Sequence, residues 1–285
     1  MIKKVGVVGA GMMGAEIALC FAKAGMETIL SDTSLEITEK GKEKQASVLD
    51  RSIKKGKLDA AAKEEILLNV IPTGNINDMA DCDIIIEAVL ENSEIKQSIF
   101  RQLDSICKEN TILASNTSSI SITKLASAVS DKRKARFVGT HFNSPASVMK
   151  LVEVIPALLT EDETVKRTIA LLNDIEKVPV KVKDVVGFGL NRLFHCFYLE
   201  ACRLIEEGVC TPEDVDKICK YGLGHPMGIC SLLDITSHDL NQSVDQILFE
   251  AYGDRFRPSP VIQRMVDSGR LGRKTGAGFF EYDKK

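Results

Sequence analysis

Gly9-Ala10-Gly11-Met12-Met13-Gly14 decides the fold. Alone, a G-x-G-x-x-G sequence would mean little. Its flanks give it meaning: the β-branched run Lys3–Val8 before it reads as a strand, and Gly14–Ala24 after it is apolar at helical spacing. Glu27–Ser31 reads as a second strand, closed by Asp32 eighteen residues beyond Gly14. In a strand-turn-helix unit each glycine has a task. Gly9 makes the tight turn, Gly11 lets the backbone approach a pyrophosphate, and Gly14 lets the helix pack on the strand, while free N–H groups from the loop through Met12 and Met13 meet the phosphates. Asp32 then selects the dinucleotide, because a carboxylate there accepts both ribose hydroxyls and repels a 2′-phosphate. No arginine follows it, and Ser34-Leu35-Glu36 adds another acid, so NAD is favoured over NADP. A strand-end or helix-capping acid is the alternative reading of Asp32.

The same alternation runs outward from this unit. A long helical region is expected from Leu35 to about Val70, followed by the apolar run Ile84–Val89, the helix Glu94–Cys107 and the strand Ile112–Ser115. Phe137–His141 and Lys150–Ile155 follow after a further helix. Continuous apolar runs separated by helices predict an α/β fold with a mostly parallel, Rossmann-type sheet covered on both faces. After Lys183 the strands stop, and from Phe188 to about Met265 the apolar spacing is helical. Thr211-Pro212-Glu213-Asp214 is a good helix start, with a hydroxyl cap, a proline in the first turn and acids against the helix dipole. The expected division is therefore residues 1–184 for dinucleotide binding and 185–285 for an all-α domain.

Composition narrows the function classes. The chain has 285 residues, 37 basic and 40 acidic, and a net charge of −3, with no polybasic footprint, so nucleic acid is not an expected partner. No stretch approaches the roughly 20 apolar residues of a membrane span. The first strand begins close to the N-terminus, leaving no room for a leader, and the chain reads as cytoplasmic or already processed. Eight cysteines are scattered with no Cys-x-x-Cys pair, which suits reduced core residues rather than a disulfide frame or a metal site.

Three further places are costly unless something uses them. Asn116-Thr117-Ser118-Ser119 follows a buried strand, and His141 ends another, both at the carboxyl edge where open parallel sheets take ligands. Each has a bland alternative, a turn and a core histidine. Glu153 lies inside Leu151-Val152-Glu153-Val154-Ile155, where burial demands a cation or donors. Only a turn separates it from His141, and a carboxylate holding an imidazole makes a general base. An ion pair with Lys150 or an arginine is the structural alternative. Asn191 and His195 lie one helical turn apart at the start of the second domain. Asn191 is read as facing a cleft between the domains and donating to a substrate oxygen. His195 is a competing base that could equally pack among Phe194, Phe197 and Tyr198.

Taken together these residues resemble the 3-hydroxyacyl-CoA dehydrogenases, and in size the chain is similar to the monofunctional bacterial type that acts on 3-hydroxybutyryl-CoA. The likeness spans nearly the whole chain. It rests on Gly9–Gly14 with Asp32, Glu87-Ala88-Val89-Leu90-Glu91-Asn92, Ser115–Ser119, Met149–Val154, Gly187–Arg192, His225-Pro226-Met227-Gly228 and Leu271–Gly276. The resemblance implies that His141 is the catalytic base paired with Glu153, that Ser118 and Asn191 contact the substrate, and that Asp32, Glu91, Lys96 and Lys274 line the NAD site. It also implies that the helical segment after Asp32 meets CoA, with Lys54, Lys55 or Lys57 on a phosphate and Lys55 chosen by position. A homodimer through the helical domain, and a place in fatty-acid and butanoate metabolism, are implied in the same way.

Two stretches depart from the family. In His141-Phe142-Asn143-Ser144-Pro145, Ser144 stands where an asparagine near the nicotinamide is expected. After Gly228 the chain reads Ile229-Cys230-Ser231 and then Ser237-His238-Asp239, where the family has proline and later Gly-Leu-Asp. Two other functions fit the same scaffold: dehydrogenation of a free hydroxy acid of gulonate or carnitine type, and dinucleotide binding without turnover. Retained CoA dependence separates the first from the leading reading, and intact Ser118, His141, Glu153 and Asn191 weigh against the second.

Overall fold

In the computed structural model, which describes residues 2–283, the chain divides into two compact units, Met1–Phe188 and Gly189–Lys285. The first is built on eight strands: β1 (Lys4–Val8), β2 (Glu27–Ser31), β3 (Val70–Thr73), β4 (Ile84–Glu87), β5 (Ile112–Ser115), β6 (Phe137–Phe142), β7 (Leu151–Pro156) and β8 (Val178–Lys181). They lie in the order β3-β2-β1-β4-β5-β6-β7-β8. All neighbours are parallel except β6 and β7, whose antiparallel register sets His141 opposite Glu153. This is the mostly parallel, Rossmann-type sheet that the apolar runs predict.

The helices of this unit are α1 (Met12–Lys23), α2 (Leu35–Lys54), α3 (Ala60–Leu68), α4 (Ser93–Ile106), α5 (Ile122–Ala126), α6 (Asp131–Lys134) and α7 (Asp162–Asp174). Strand side chains alternate between two apolar layers. Val5, Val7, Ile84, Ile86 and Val152 pack with Ile17 and Phe21 of α1 and Val165 and Leu171 of α7. On the opposite face Ile85, Leu113, Phe137 and Ile155 pack with Phe100 and Leu103 of α4 and Ile122 and Leu125 of α5. Burial on both faces is why the central strands carry unbroken apolar sequence.

The region from Leu35 to Val70 is not one helix. It breaks between α2 and α3, where Gly56 turns at φ 67° and Asp59 caps α3 by accepting from the Ala62 N–H. The segment then ends in β3, and β8 is a second strand the apolar pattern does not announce. Each is a four-residue strand at an edge of the sheet, and each contains a proline, Pro72 and Pro179. An edge strand tolerates proline because one side of its backbone has no ladder partner.

The second unit contains α8 (Leu190–Glu206), α9 (Pro212–Lys217), α10 (Ile229–Thr236), α11 (His238–Tyr252) and α12 (Pro260–Asp267). Thr211 caps α9 by accepting from the Asp214 N–H, with Pro212 in the first turn. Asp234 ties down the C-terminal residues, accepting from the Phe279 and Phe280 N–H groups and the Tyr282 hydroxyl. The eight cysteines are free thiols, and Cys20, Cys82, Cys202, Cys219 and Cys230 are buried. Among the described residues no helix is long and apolar enough to cross a membrane.

Candidate active site

Of the three glycines between β1 and α1, two are tightly packed and one stands in open space. Gly9 turns at φ 102°, and a Cβ there would stand 2.7 Å from the Ala88 carbonyl oxygen. A Cβ on Gly14 would meet the Gly9 carbonyl oxygen at 1.8 Å, so helix and loop are in direct contact. A Cβ on Gly11 would meet nothing within 4 Å. Gly11 also occupies the cap position of α1 and supplies no side-chain acceptor for the first-turn N–H groups. Met12 beside it is exposed. Open space over bare helix-start donors suits a dinucleotide phosphate.

Asp32, at the end of β2, already has work in the protein. Its Oδ2 accepts from the Ala10 N–H at 2.7 Å and its Oδ1 from the Thr33 N–H at 2.7 Å. The carboxylate is thus fixed to the glycine loop, half-buried at the carboxyl edge of the sheet. Ser34, not Asp32, caps α2, so Asp32 is a strand-end acid, and a carboxylate aimed by backbone donors keeps lone pairs for a ligand hydroxyl.

A line of three side chains crosses the neighbouring strand ends. Glu153 Oε2 lies 2.8 Å from His141 Nδ1, and His141 Nε2 lies 3.0 Å from Ser118 Oγ. A carboxylate only accepts, so Nδ1 carries the ring proton and Nε2 presents its lone pair to the Ser118 hydroxyl. His141 and Glu153 are 5% and 2% exposed, which makes their mutual bond the compensation for burying both. Lys150, the alternative partner for Glu153, makes no ion pair among the described residues. Asn116 Oδ1 accepts from the Phe142 N–H at 2.8 Å and pins the end of β6. The Phe188 ring stands 5.7 Å from the imidazole, centroid to centroid, on a residue at φ 45° next to Gly187 at φ 72°. A left-handed conformation is unfavourable for phenylalanine and common where the surroundings hold a functional group in place.

Other expected site residues are placed differently from one another. Glu91 lies beside Ser118 and accepts hydrogen bonds from its loop. Lys96 in α4 is 1% exposed; its ammonium donates to Glu87 Oε1 at 2.6 Å and to the Val89 carbonyl at 3.3 Å, with Glu91 Oε2 also at 3.3 Å. It faces into the protein, towards Glu87, itself fully buried at the end of β4. Ser144 is exposed and its bond to Pro145 is cis, while Asn143 donates to the Leu151 carbonyl at 3.2 Å. Lys55, just past the end of α2, is exposed, and neither it, Lys54 nor Lys57 makes an ion pair among the described residues.

In the second unit, Asn191 stands half-buried in the first turn of α8. Lys274 pairs with Asp239 at 2.7 Å, and that bond, with one from Ser237, holds the Asp239 carboxyl down at about 2. His195 is 2% exposed, its Nδ1 lies 2.7 Å from Asp245 Oδ1, and the Tyr198 hydroxyl bonds the other carboxylate oxygen. Its neighbours Phe194 and Tyr198 are ring contacts, so it is a satisfied core histidine of the helical unit.

Sequence reasoning assigned no role to Glu87, Asn116 or Phe188. Glu87 carries the same signal as Glu153, an acid within an apolar run, and Phe188 lies between two glycines.

With that geometry in view, relatives are informative. The profile described as "3-hydroxyacyl-CoA dehydrogenase, NAD binding domain" matches residues 4–185, and the one described as "3-hydroxyacyl-CoA dehydrogenase, C-terminal domain" matches 187–282. A probable 3-hydroxybutyryl-CoA dehydrogenase of Deinococcus radiodurans is 41% identical over 280 residues, covering 98% of this chain and 100% of that one. The 3-hydroxybutyryl-CoA dehydrogenase of Clostridioides difficile is 40% identical over 286 residues, covering 99% of this chain and 100% of its own. Among solved structures, the (S)-3-hydroxybutyryl-CoA dehydrogenase of Ralstonia eutropha superposes with a TM-score of 0.94 at 41% identity, with 100% of both chains covered. Across both units and its whole length, then, this chain belongs to the 3-hydroxyacyl-CoA dehydrogenase family.

Proposed function

We propose that the protein is an NAD-dependent dehydrogenase interconverting short-chain 3-hydroxyacyl-CoA and 3-oxoacyl-CoA, with 3-hydroxybutyryl-CoA and acetoacetyl-CoA as the pair. The observation that carries this reading is the buried Glu153–His141–Ser118 line at the carboxyl edge of the sheet. NAD, held by Gly9–Gly14 and Asp32, supplies the hydride acceptor. His141 Nε2 takes the proton of the 3-hydroxyl, and Glu153 on Nδ1 keeps the ring in that tautomer and stabilises the imidazolium. Because Ser118 Oγ already lies one hydrogen bond from Nε2, a substrate hydroxyl that reaches the base also meets the serine. Asn191 is assigned to orient the thioester end, and reduction reverses the same steps.

The decisive experiment follows NADH absorbance with acetoacetyl-CoA. Thioester-dependent NADH oxidation supports the proposal, while turnover of free hydroxy acids alone would replace it. Asp32 gives the cofactor prediction. NADH should outperform NADPH, and Asp32→Ala should narrow that gap by roughly 10–100-fold, the range expected for lost charged hydrogen bonds and lost repulsion. Equal use of both cofactors by the unmodified protein would remove Asp32 from this role.

For CoA we assign Lys55, which is exposed at the end of α2 and makes no ion pair among the described residues. Lys55→Ala should raise KM for acetoacetyl-CoA about two- to fivefold, as an exposed ion pair allows, and leave kcat and an acetoacetyl-pantetheine analogue unchanged. An equal effect on both substrates would place Lys55 elsewhere. A second copy of the chain is the proposed partner. In the helical unit the large side chains Leu193, Val209, Tyr221 and Leu240 are each more than half exposed, and a second copy is the proposed cover for them. A one-chain mass in sedimentation would exclude it.

A further inference from the structure

Ser118 lies on a loop, and a loop hydroxyl holds a 3.0 Å bond to an imidazole only if its backbone is fixed. The fixing group is a carboxylate from the neighbouring strand connection. Glu91 Oε1 accepts from the Ser118 N–H at 2.9 Å, the Ser119 N–H at 3.0 Å, the Ser119 hydroxyl at 2.9 Å and the Thr117 hydroxyl at 2.5 Å. Two successive backbone N–H groups converging on one anion form a cradle that sets the loop's conformation. Thr117 Oγ1 in turn accepts from the Ile120 N–H at 3.0 Å, which closes the turn after Ser118.

The bracket is itself anchored. Lys96 Nζ faces Glu91 Oε2 at 3.3 Å and Glu87 Oε1 at 2.6 Å. Glu87 Oε2 accepts from Ser115 Oγ at 2.7 Å, one residue from the start of the same loop. Burial raises the Glu91 carboxyl, but Lys96 and the hydroxyl and N–H donors outweigh it and hold the group below the ordinary carboxylate value. It is therefore an anion throughout the neutral range, and the bracket stays closed there.

We infer that Glu91 is a positioning residue for the reaction: its carboxylate, backed by Lys96 and Glu87, clamps the Thr117–Ser119 backbone and so aims the Ser118 hydroxyl at His141 Nε2. This rests on the reading under Proposed function and differs from the place lining the NAD site that the family resemblance implies for Glu91. The two roles predict different kinetics. Loss of positioning lowers kcat and spares cofactor affinity, whereas loss of a cofactor contact weakens NADH binding.

In Glu91→Ala, kcat for acetoacetyl-CoA reduction should fall about 10–100-fold, the scale of a misplaced catalytic group, with the NADH Kd from fluorescence titration within about threefold of the parent. In a Ser118→Ala background the same substitution should cost little more, because no hydroxyl remains to be aimed. Glu91→Gln, whose amide oxygen still accepts from the two N–H groups, should fall between the parent and Glu91→Ala; it carries the same cycle should the alanine variant not fold. Unchanged kcat, a loss confined to the NADH Kd, or fully multiplicative losses with Ser118→Ala would overturn the inference. An unmodified protein inactive on acetoacetyl-CoA would instead sink the proposed function. Positioning is then read from the His141 imidazole 15N shifts, which should move in Glu91→Gln as in Ser118→Ala; shifts left at their parent values would overturn it.

Discussion

His141→Gln is expected to lower turnover of 3-hydroxybutyryl-CoA by roughly 10²–10⁴, the contribution of a positioned general base. Gln keeps the side chain polar but has no lone-pair nitrogen able to take and return a proton. Glu153→Gln should cost a large part of the same, since the imidazolium would lose the counter-charge now 2.8 Å from Nδ1. It also leaves an amide free to flip and donate to the ring, which favours the wrong tautomer. The two act as one unit, so the double variant should be little slower than His141→Gln alone. NADH binding should survive in all three, because the glycine loop is untouched. Multiplicative losses would sink the paired base, and near-normal turnover in His141→Gln would leave the base unassigned, since His195 is committed to Asp245 in the helical core.

The second large effect separates two glycines that look alike in sequence. Gly14→Ala places a methyl 1.8 Å from the Gly9 carbonyl oxygen, a collision with backbone that only displacement of α1 or the loop can relieve. Overpacking of this kind costs about 1–3 kcal/mol or more, so a lowered Tm is expected together with lost NADH binding. Gly11→Ala is different. Its methyl meets no protein atom within 4 Å, so the fold and its Tm should hold while NADH affinity falls at least about tenfold, the methyl standing where the backbone meets phosphate. Normal NADH affinity in Gly11→Ala would place the pyrophosphate away from the start of α1. A destabilised Gly11→Ala would mean that the loop itself needs the glycine.

Lys96, which the family resemblance places on the NAD site, is held by a buried ion pair. In the fold it is turned inward because Glu87, fully buried at the end of β4, needs a cation; removing one partner of such a pair typically costs about 3–5 kcal/mol. The same reasoning, that an acid in an apolar strand demands a partner, applies to Glu153, 2.8 Å from His141, and equally to Glu87.

The central sheet, the glycine loop and the helical second unit were determined by local sequence. Strands buried on both faces must be apolar throughout, and a strand-turn-helix with close contacts must carry glycine at Gly9 and Gly14. The four-residue edge strands β3 and β8 were not legible, since each contains a proline and half-exposed positions, and pairing at an edge comes from the neighbouring strand. The residues of the site were nameable one by one, and the short turn between the strands made the His141–Glu153 contact legible, yet the other connections were not. Only tertiary structure joined Ser118 to His141, Glu91 to the Ser118 loop and His195 to an aspartate fifty residues on. Periodicity and glycine placement are properties of contiguous chain, whereas which partner satisfies a buried charge depends on strand order and register, and these are settled by packing the whole sheet at once.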